Sequence, residues 1–288
     1  MITGTTKLLG VIGHPIEHSL SPIMHNAAIA HLGADYAYVP FDIEPPDLAT
    51  AIAGFAAIGV KGFNVTIPHK QAIMPLLSDI SALAQAVGAV NTVWWQEGKW
   101  HGTNTDVTGF LAPLRAIEKD WSRTEVVVLG NGGASRAVVA GCAELGVAMV
   151  HVVGRDRHKL DQFHQSWQHS PLIVNLQTHE WDTLASLLPN AGLVVNTTPI
   201  AMYPKIDESP VPLDWMNTVQ PGAIAYDLIY IPKPTLFLRH AAEQGATIID
   251  GLEMLVQQGA AALEIWLDQI IPVDVMRQAL IQQLQLPG

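Results

Sequence analysis

Apolar runs separated by glycine-rich turns predict alternating strands and helices in the second half of the chain. The run Val126–Leu129 is followed at once by four residues, GNGG, at 130–133 and then by a helix-forming stretch, Ala134–Leu145. A second β-branched run, Val147–Val153, comes after Gly146. Together these segments span about 30 residues, the length of a βαβ unit. Further strands are predicted at Leu193–Asn196, Ala223–Leu228 and Thr247–Ile249.

The rest of the chain alternates in the same way. Strands are predicted at residues 7–13, Tyr36–Asp42, Val60–Thr66 and 88–95, and helices at 21–33, Leu48–Ala57, Ala82–Val87, Val107–Glu118, Gly251–Asp268 and Val273–Leu284. Ser21 followed by Pro22 predicts a helix N-cap with proline at the first helical position. Lys70 is predicted to start the helix after the third strand, where the helix dipole disfavours a cation, and this indicates a function. A lysine that merely reaches solvent is the alternative.

Composition predicts a well-packed globular protein of two domains. Of the 288 residues, 49% are hydrophobic and 14% are charged, which is enough for two cores. The net charge of −11 argues against nucleic-acid and anionic-membrane partners. The single cysteine, Cys142, allows no internal disulfide. No signal peptide and no apolar stretch of about 18 residues is visible, so we expect a cytoplasmic protein.

The glycine-rich turn at 130–133 is a candidate nucleotide site. Gly130 would allow the tight turn, and Gly132 would let the backbone approach a pyrophosphate at the N-terminus of the next helix. A glycine-rich turn after a strand is also often no more than a tight turn. Arg155 and Arg157 follow the second strand and could hold a 2′-phosphate, which favours NADP over NAD. In the alternative interpretation they are solvated charges, and Asp156 caps the next helix.

Polar residues in the first half suggest a second candidate site, for a small acidic ligand. Ser19 and Ser21 place two hydroxyls beside a helix start, where a carboxylate would be stabilised. Asn64 and Thr66 come at the end of a buried strand, a usual place for ligand contacts in α/β proteins. Asn91 could bind a substrate hydroxyl, and Asp106 could serve chemistry or simply cap the helix that follows it.

Eight segments in register resemble the shikimate dehydrogenase family, NADP-linked enzymes of aromatic amino-acid biosynthesis. They extend over nearly the whole chain, which makes the resemblance specific. The matching segments are His18–Pro22 with His25 and Asn26, Asn64–Lys70, Gly88–Thr92, Gly102–Asp106, Gly130–Ala137, Asn196–Pro199, Tyr226–Tyr230 and Met254–Gln258.

The resemblance implies an α/β fold with two domains and an active-site cleft between them. Residues 1–105 plus 251–288 would form the substrate-binding domain, and 106–250 a Rossmann-type, doubly wound NADP-binding domain. The reaction would be the reversible reduction of 3-dehydroshikimate to shikimate, with Lys70 and Asp106 as the catalytic pair. Which of the two exchanges the proton is left open. No metal is expected, and the expected partner is a small-molecule substrate, with a homodimer as one option.

The resemblance also assigns the remaining site residues. Substrate contacts would be Ser19, Ser21, Asn64, Thr66, Asn91, Asp106, Tyr230 and Gln258. Cofactor contacts would be Gly130, Asn131, Gly132, Gly133, Ala134, Arg155, Arg157, Thr197, Thr198 and Gly251.

Three departures from the family pattern and three rival functions accompany this assignment. Gly154 and Asp156 replace the outer residues of the usual Asn-Arg-Thr, Asn131 stands in place of alanine, and Ala201 replaces a glycine, which should disfavour a positive φ. The first rival is a quinate/shikimate dehydrogenase that uses either cofactor. The others are a non-catalytic ligand-binding relative, which would be expected to lose the Lys70 and Asp106 pair, and a folate-linked methylene dehydrogenase, which would not account for the paired serines.

Overall fold

A computed structural model of the protein describes residues 2–168 and 170–285. In chain order, the strands are β1 (Lys7–Gly13), β2 (Tyr36–Asp42), β3 (Gly62–Val65), β4 (Asp79–Ile80), β5 (Thr92–Gln96), β6 (Lys99–Thr103), β7 (Glu125–Leu129), β8 (Met149–Gly154), β9 (Leu176–Glu180), β10 (Ala191–Asn196), β11 (Ile224–Asp227) and β12 (Thr247–Ile249). The helices are α1 (Ser21–His31), α2 (Leu48–Ile58), α3 (Ala82–Val87), α4 (Asp106–Arg115), α5 (Gly133–Leu145), α6 (Arg157–Trp167), α7 (Leu184–Leu187), α8 (Leu213–Met216), α9 (Leu236–Glu243), α10 (Leu252–Leu267) and α11 (Val273–Gln283).

The chain divides into two compact units. The first consists of the described residues of Met1–Gly109 and Leu255–Gly288, and the second is Phe110–Met254. One boundary falls within α4 and the other within α10. Among the residues described, no helix is long and apolar enough to cross a membrane.

The first unit is built on a mixed sheet with the strand order β2-β1-β3-β5-β6-β4. β1 pairs in parallel with β2 and β3, and β5 joins β3 and β6 antiparallel to both. The β5–β6 hairpin turns through Glu97 and Gly98, which both have positive φ, as a two-residue hairpin turn requires. One face of the sheet is covered by a buried apolar cluster that includes Ile12, Ile52 and Phe63.

The second unit is a doubly wound parallel sheet with the order β12-β11-β10-β7-β8-β9. Every neighbouring pair is parallel. β8 and β9 lie on one side of β7, and β10, β11 and β12 lie on the other. This is the order of a Rossmann-type dinucleotide-binding fold. Its central strands β7 and β10 are apolar on both faces, as buried parallel strands are, and Val127, Val194 and Ala225 lie in the core. The predicted fold class is therefore confirmed.

The only cysteine of the chain, Cys142, lies in α5 and is fully buried. Burial raises the pKa of its thiol to about 12. It packs as a small core residue, as the sequence indicated.

Two local predictions are wrong. Ser21 is the first helical residue of α1 and makes no side-chain cap; instead its backbone N–H donates to the Ser19 hydroxyl at 3.3 Å. Lys70 lies in a succession of turns and not at a helix start, and only a short 3₁₀ segment, Met74–Leu76, follows. The reason is Pro75, which has no N–H to donate to residue 71 and so interrupts an α-helix there.

Candidate functional site

Lys70 and Asp106 form an ion pair in the first unit. Lys70 Nζ lies 2.5 Å from Asp106 Oδ2, and the two side chains are 17% and 9% exposed. Asp106 is the first residue of α4, where the helix dipole stabilises a carboxylate. Because both charges are largely removed from water, loss of either partner would leave the other poorly solvated.

Asn91 holds the carboxylate of this pair in place. Its Nδ2 donates to Asp106 Oδ1 at 2.9 Å and to Thr105 Oγ1 at 3.0 Å, while its Oδ1 accepts from the Thr105 N–H at 2.7 Å. The Asn91 side chain is therefore held by protein groups and orients the Asp106 carboxylate. Gln258 Oε1 lies 3.4 Å from the same Asn91 nitrogen.

Sequence reasoning missed Asn104, which supports Asp106 from the preceding turn. The Asn104 side chain accepts from the Asp106 N–H at 3.0 Å and donates to the Ala89 carbonyl at 2.9 Å. The signal was present as an asparagine two residues before the acid, the spacing of an Asx turn. Asp106 consequently needs no capping function of its own.

Several other predicted substrate contacts of this unit lie near the ends of two adjacent parallel strands. Ser19 lies in the loop after β1 and Ser21 begins α1, while Asn64 lies in β3 and Thr66 in the loop that follows it. The two loops run side by side, with the His14 N–H donating to the Ile67 carbonyl at 3.0 Å and the Thr66 N–H to the Ile12 carbonyl at 2.9 Å. Asn64 joins the polar cluster through its Nδ2, which donates to the Asn91 carbonyl at 3.1 Å.

In the second unit, the glycine loop lies where the winding of the sheet reverses, between β7 and β10. Gly130 has φ +102°, and its N–H donates to the Val153 carbonyl at 2.8 Å. Thr197, after β10, donates through Oγ1 to the Leu129 carbonyl at 2.7 Å. Crevices at such reversal points bind ligands in doubly wound sheets. The structure thus brings together residues 130–134 with Thr197.

Gly132 lies on a side of this loop where no other atoms of the protein are close. It precedes α5, and a Cβ added there would meet no heavy atom within 4 Å. The backbone is extended, with φ −89° and ψ −164°, so any residue could adopt it. The free N–H groups at the start of the 13-residue helix α5 suit an anion.

The two arginines after β8 differ in their surroundings. Arg157 forms ion pairs with Asp161 at 3.1 Å and Glu180 at 3.7 Å. Arg155 is exposed and has no ion pair with any described residue. Asp156 accepts from the Lys159 N–H at 3.1 Å and caps α6, as the alternative interpretation held. Arg155 is therefore the better placed of the two to meet a phosphate.

Sequence reasoning assigned no role to Asp227, which organises the ends of β10 and β11. Its carboxylate accepts from Asn196 Nδ2 at 2.9 Å, from the Ile229 N–H at 3.1 Å and from the Thr235 hydroxyl at 2.7 Å. Asn196 Oδ1 in turn accepts from Thr198, through the N–H at 3.0 Å and the hydroxyl at 2.7 Å. Burial raises the pKa of the Asp227 carboxyl to about 6, although these hydrogen bonds oppose the shift. Polar residues ending two adjacent apolar strands were the available signal.

Tyr230 is carried by the loop that Asp227 holds, and burial raises the pKa of its phenol. Gly251 lies directly against this loop, because a Cβ there would come within 2.1 Å of the Leu228 carbonyl oxygen. The Gly251 N–H also donates to the Ile229 carbonyl at 3.2 Å. Gly251 thus has a steric reason to be glycine that does not involve a cofactor.

Ala201 departs from the expectation for its position. It has φ +85° and is fully buried, so the chain keeps the left-handed conformation although an alanine stands there.

The asparagine at the second departure, Asn131, has an Nδ2 that is buried without a hydrogen-bond partner among the described residues. Within residues 2–168 and 170–285, no cluster of three or more His, Cys, Asp or Glu side chains is arranged to hold a metal ion.

Comparison with known proteins relates this geometry to one family. Residues 11–93 match the family model of the shikimate dehydrogenase substrate binding domain, and residues 251–281 match that of the shikimate 5′-dehydrogenase C-terminal domain. A curated shikimate dehydrogenase (NADP(+)) from a Nostoc species is 66% identical over 288 residues, covering 99% of this chain and 100% of the relative.

Solved structures agree with this relation. A crystal structure of shikimate dehydrogenase in complex with NADP⁺ is 38% identical with a TM-score of 0.86, covering 98% of this chain and 97% of that one. Shikimate 5-dehydrogenase from Listeria monocytogenes, in complex with shikimate and NAD, is 34% identical with a TM-score of 0.87, covering 97% and 98%. By sequence identity and fold over its full length, the chain belongs to the shikimate dehydrogenase family.

Proposed function

We propose that this protein catalyses the reversible, NADP-linked interconversion of shikimate and 3-dehydroshikimate. The observation that carries the proposal is the buried Lys70–Asp106 ion pair, held by Asn91, in a chain 66% identical to a shikimate dehydrogenase (NADP(+)). A non-catalytic relative would have no need to keep a partly buried charge pair, which is costly to bury.

The first unit would bind the substrate and the second the cofactor. The residues of the second unit fit NADP, because the open side of Gly132, the N-terminus of α5 and the exposed Arg155 together provide space and donors for phosphate groups. The residues proposed to hold it are Gly130, Asn131, Gly132, Gly133, Ala134, Arg155, Thr197 and Thr198. We propose Arg155 as the chief contact of the 2′-phosphate, since Arg157 is already paired.

Bound NADP supplies a nicotinamide ring that accepts or returns the hydride. The chain supplies the proton. In ketone reduction, the Lys70 ammonium would donate a proton to the oxygen as it gains charge, and in alcohol oxidation the neutral amine would take it back. Asp106 has both oxygens occupied, by Lys70 and Asn91, so we assign it the role of holding Lys70 in position.

Substrate binding would use polar side chains that the family resemblance assigns to it. We propose that Ser19 and Ser21 hold the carboxylate, and that Thr66, Gln258 and Tyr230 contact ring hydroxyls. The negative net charge of −11 opposes an anionic ligand, so recognition has to come from these local donors and from Lys70.

The experiment is turnover of the purified protein with shikimate or quinate and with NADP or NAD, followed by nicotinamide absorbance. Activity with shikimate and NADP, at least tenfold above every other pair, is the expected result. Comparable turnover of quinate or use of NAD would favour the dual-specificity rival, and no turnover with any pair would favour the non-catalytic one. Lys70→Met should remove turnover and retain NADP affinity, with a lower melting temperature because Asp106 loses its buried partner; near-normal turnover would refute the role of Lys70.

A homodimer and a cytoplasmic location are further proposals. The cytoplasmic location is supported by the single cysteine of the sequence, which allows no internal disulfide. Light scattering on the purified protein would determine the oligomeric state.

A further inference from the structure

A buried tyrosine lies between the polar side chains of the first unit. Tyr38, on β2, is 1% exposed, and its hydroxyl lies 2.7 Å from Asn64 Oδ1. The Ser21 side chain also lies near this phenol. The Tyr38 ring is stacked on that of buried His25, with centroids 4.0 Å apart and planes within 9°. The phenol thus contacts the amide of Asn64 and lies near a proposed carboxylate contact, Ser21.

The hydrogen-bond partners fix the orientation of the Asn64 amide. The Asn91 backbone carbonyl, 3.1 Å away, can only accept, so the atom facing it is Nδ2. The second hydrogen of Nδ2 points to Thr92 Oγ1 at 3.2 Å. Tyr38 consequently faces Oδ1 and must be the donor, because Oδ1 carries no hydrogen.

These hydrogen bonds limit what Asn64 and Tyr38 can still donate. Asn64 has no hydrogen left for a ligand, and its remaining capacity is one lone pair on Oδ1. Because the single phenolic hydrogen is used on Asn64, the phenol oxygen can only accept from any other group. Burial raises the pKa of the Tyr38 phenol well above its ordinary value of 10, so Tyr38 keeps its proton at every pH at which the enzyme would work. The neighbouring His25, whose pKa is lowered to about 4 by burial, stays neutral there.

We propose that Tyr38 is a positioning residue that fixes Asn64 as a hydrogen-bond acceptor. The site would thereby favour a substrate that offers a hydroxyl donor to Asn64. This inference rests on the proposed function for its kinetic test, but the hydrogen-bond arrangement itself can be tested without any substrate.

The kinetic test is Tyr38→Phe, which removes one oxygen and keeps the ring. Loss of the Tyr38 donor should raise the KM for shikimate by about 5- to 30-fold, with kcat within about twofold and the KM for NADP unchanged. In an Asn64→Ala background, the same substitution should raise the KM by less than half as much on a logarithmic scale, since residues that act through one another are not additive. The matched control is Tyr36→Phe, on the same strand beside Lys7, which should change neither constant.

A merely structural role for Tyr38 predicts a different outcome. It would lower kcat and the melting temperature together, leave the KM for shikimate unchanged and give additive effects with Asn64→Ala. Any of these results with an unchanged KM would overturn the proposal.

The substrate-free test is the side-chain amide signal of Asn64 in ¹H–¹⁵N spectra, assigned by its loss in Asn64→Ala. In the wild type both amide hydrogens should exchange slowly with water, and in Tyr38→Phe they should exchange measurably faster. An unchanged exchange rate would refute the positioning role. If the wild-type protein fails to turn over shikimate, the proposed function fails by itself, and the exchange rates still decide the role of Tyr38.

Discussion

Two glycines of one loop, Gly130 and Gly132, should respond to alanine in opposite ways. At Gly132 the backbone is extended and a Cβ has no neighbour within 4 Å, so nothing in the folded protein requires glycine there. Alanine at this position should stabilise the protein slightly, by up to about 1 kcal/mol, because it restricts the unfolded chain. The substitution should instead weaken the binding of NADP.

The expected size of the NADP effect follows from the contacts at stake. A methyl group at residue 132 would keep a pyrophosphate oxygen from the N–H groups at the start of α5. Loss of one hydrogen bond to a charged group costs about 1.5–3 kcal/mol, which is roughly a 10- to 150-fold increase in Kd. Gly130→Ala, by contrast, forces a left-handed φ of +102° on alanine and brings its Cβ to 2.9 Å from Thr197 Oγ1. Strain and crowding together should cost about 2–4 kcal/mol of unfolding free energy.

The assay is titration calorimetry of NADP with each variant, paired with urea unfolding of the same preparations. Gly54→Ala is the matched control, since it lies in α2 of the first unit and its Cβ would also meet nothing within 4 Å. It should add about 0.5–1 kcal/mol of stability and leave the Kd for NADP unchanged. If Gly132→Ala lowers stability by more than 1 kcal/mol and leaves the Kd unchanged, glycine is there for packing, and the assignment of this loop to the cofactor is wrong.

Three further predictions concern the network around each proposed contact. Asn91→Ala should lower kcat at least tenfold and the unfolding free energy by about 2–4 kcal/mol, because it releases Asp106 and leaves the buried Thr105 N–H without an acceptor. Steady-state kinetics and urea unfolding measure these two quantities. An unchanged kcat would contradict the positioning role of Asn91. Gly251→Ala should raise the KM for shikimate, since its Cβ would displace the loop that carries Tyr230; unaltered kinetics would show that this loop does not reach the substrate. The pKa of the Asp227 carboxyl is raised to about 6 in the folded state, so its protonated form stabilises the fold below pH 3.8, the unfolded value, and this stabilisation is lost as the pH rises through about 6. Between these two pH values, the slope of the unfolding free energy against pH should therefore be less positive in the wild type than in Asp227→Asn. Equal slopes would refute the pKa shift.

Local patterns predicted most of the fold because each of those elements is specified by its own residues. β2 and β12 have the predicted bounds, and the strand–glycine turn–helix unit at 125–145 has a periodicity that does not depend on the remainder of the chain. The alternation of strands and helices predicted the βαβ unit, and the doubly wound topology of the second unit was implied by the family resemblance.

The contacts within the site could not be predicted from the sequence, because they join distant segments. The Asn91 amide, for example, is hydrogen-bonded to Thr105 and Asp106, about fourteen positions away. The predicted helix at Lys70 failed because a single proline outweighs a favourable composition. Asp227 was quoted only as part of a motif, because its three hydrogen bonds come from residues that the fold alone brings together.

Because its only cysteine, Cys142, is buried, this protein is well suited to site-directed labelling. Its thiol is inaccessible, and its raised pKa of about 12 keeps it protonated and unreactive at neutral pH. A single cysteine introduced at an exposed position would therefore take a fluorescent or spin label selectively, without prior removal of the native residue and the cavity in α5 that this would create. Ligand binding to either unit could then be followed by spectroscopy in an otherwise natural sequence.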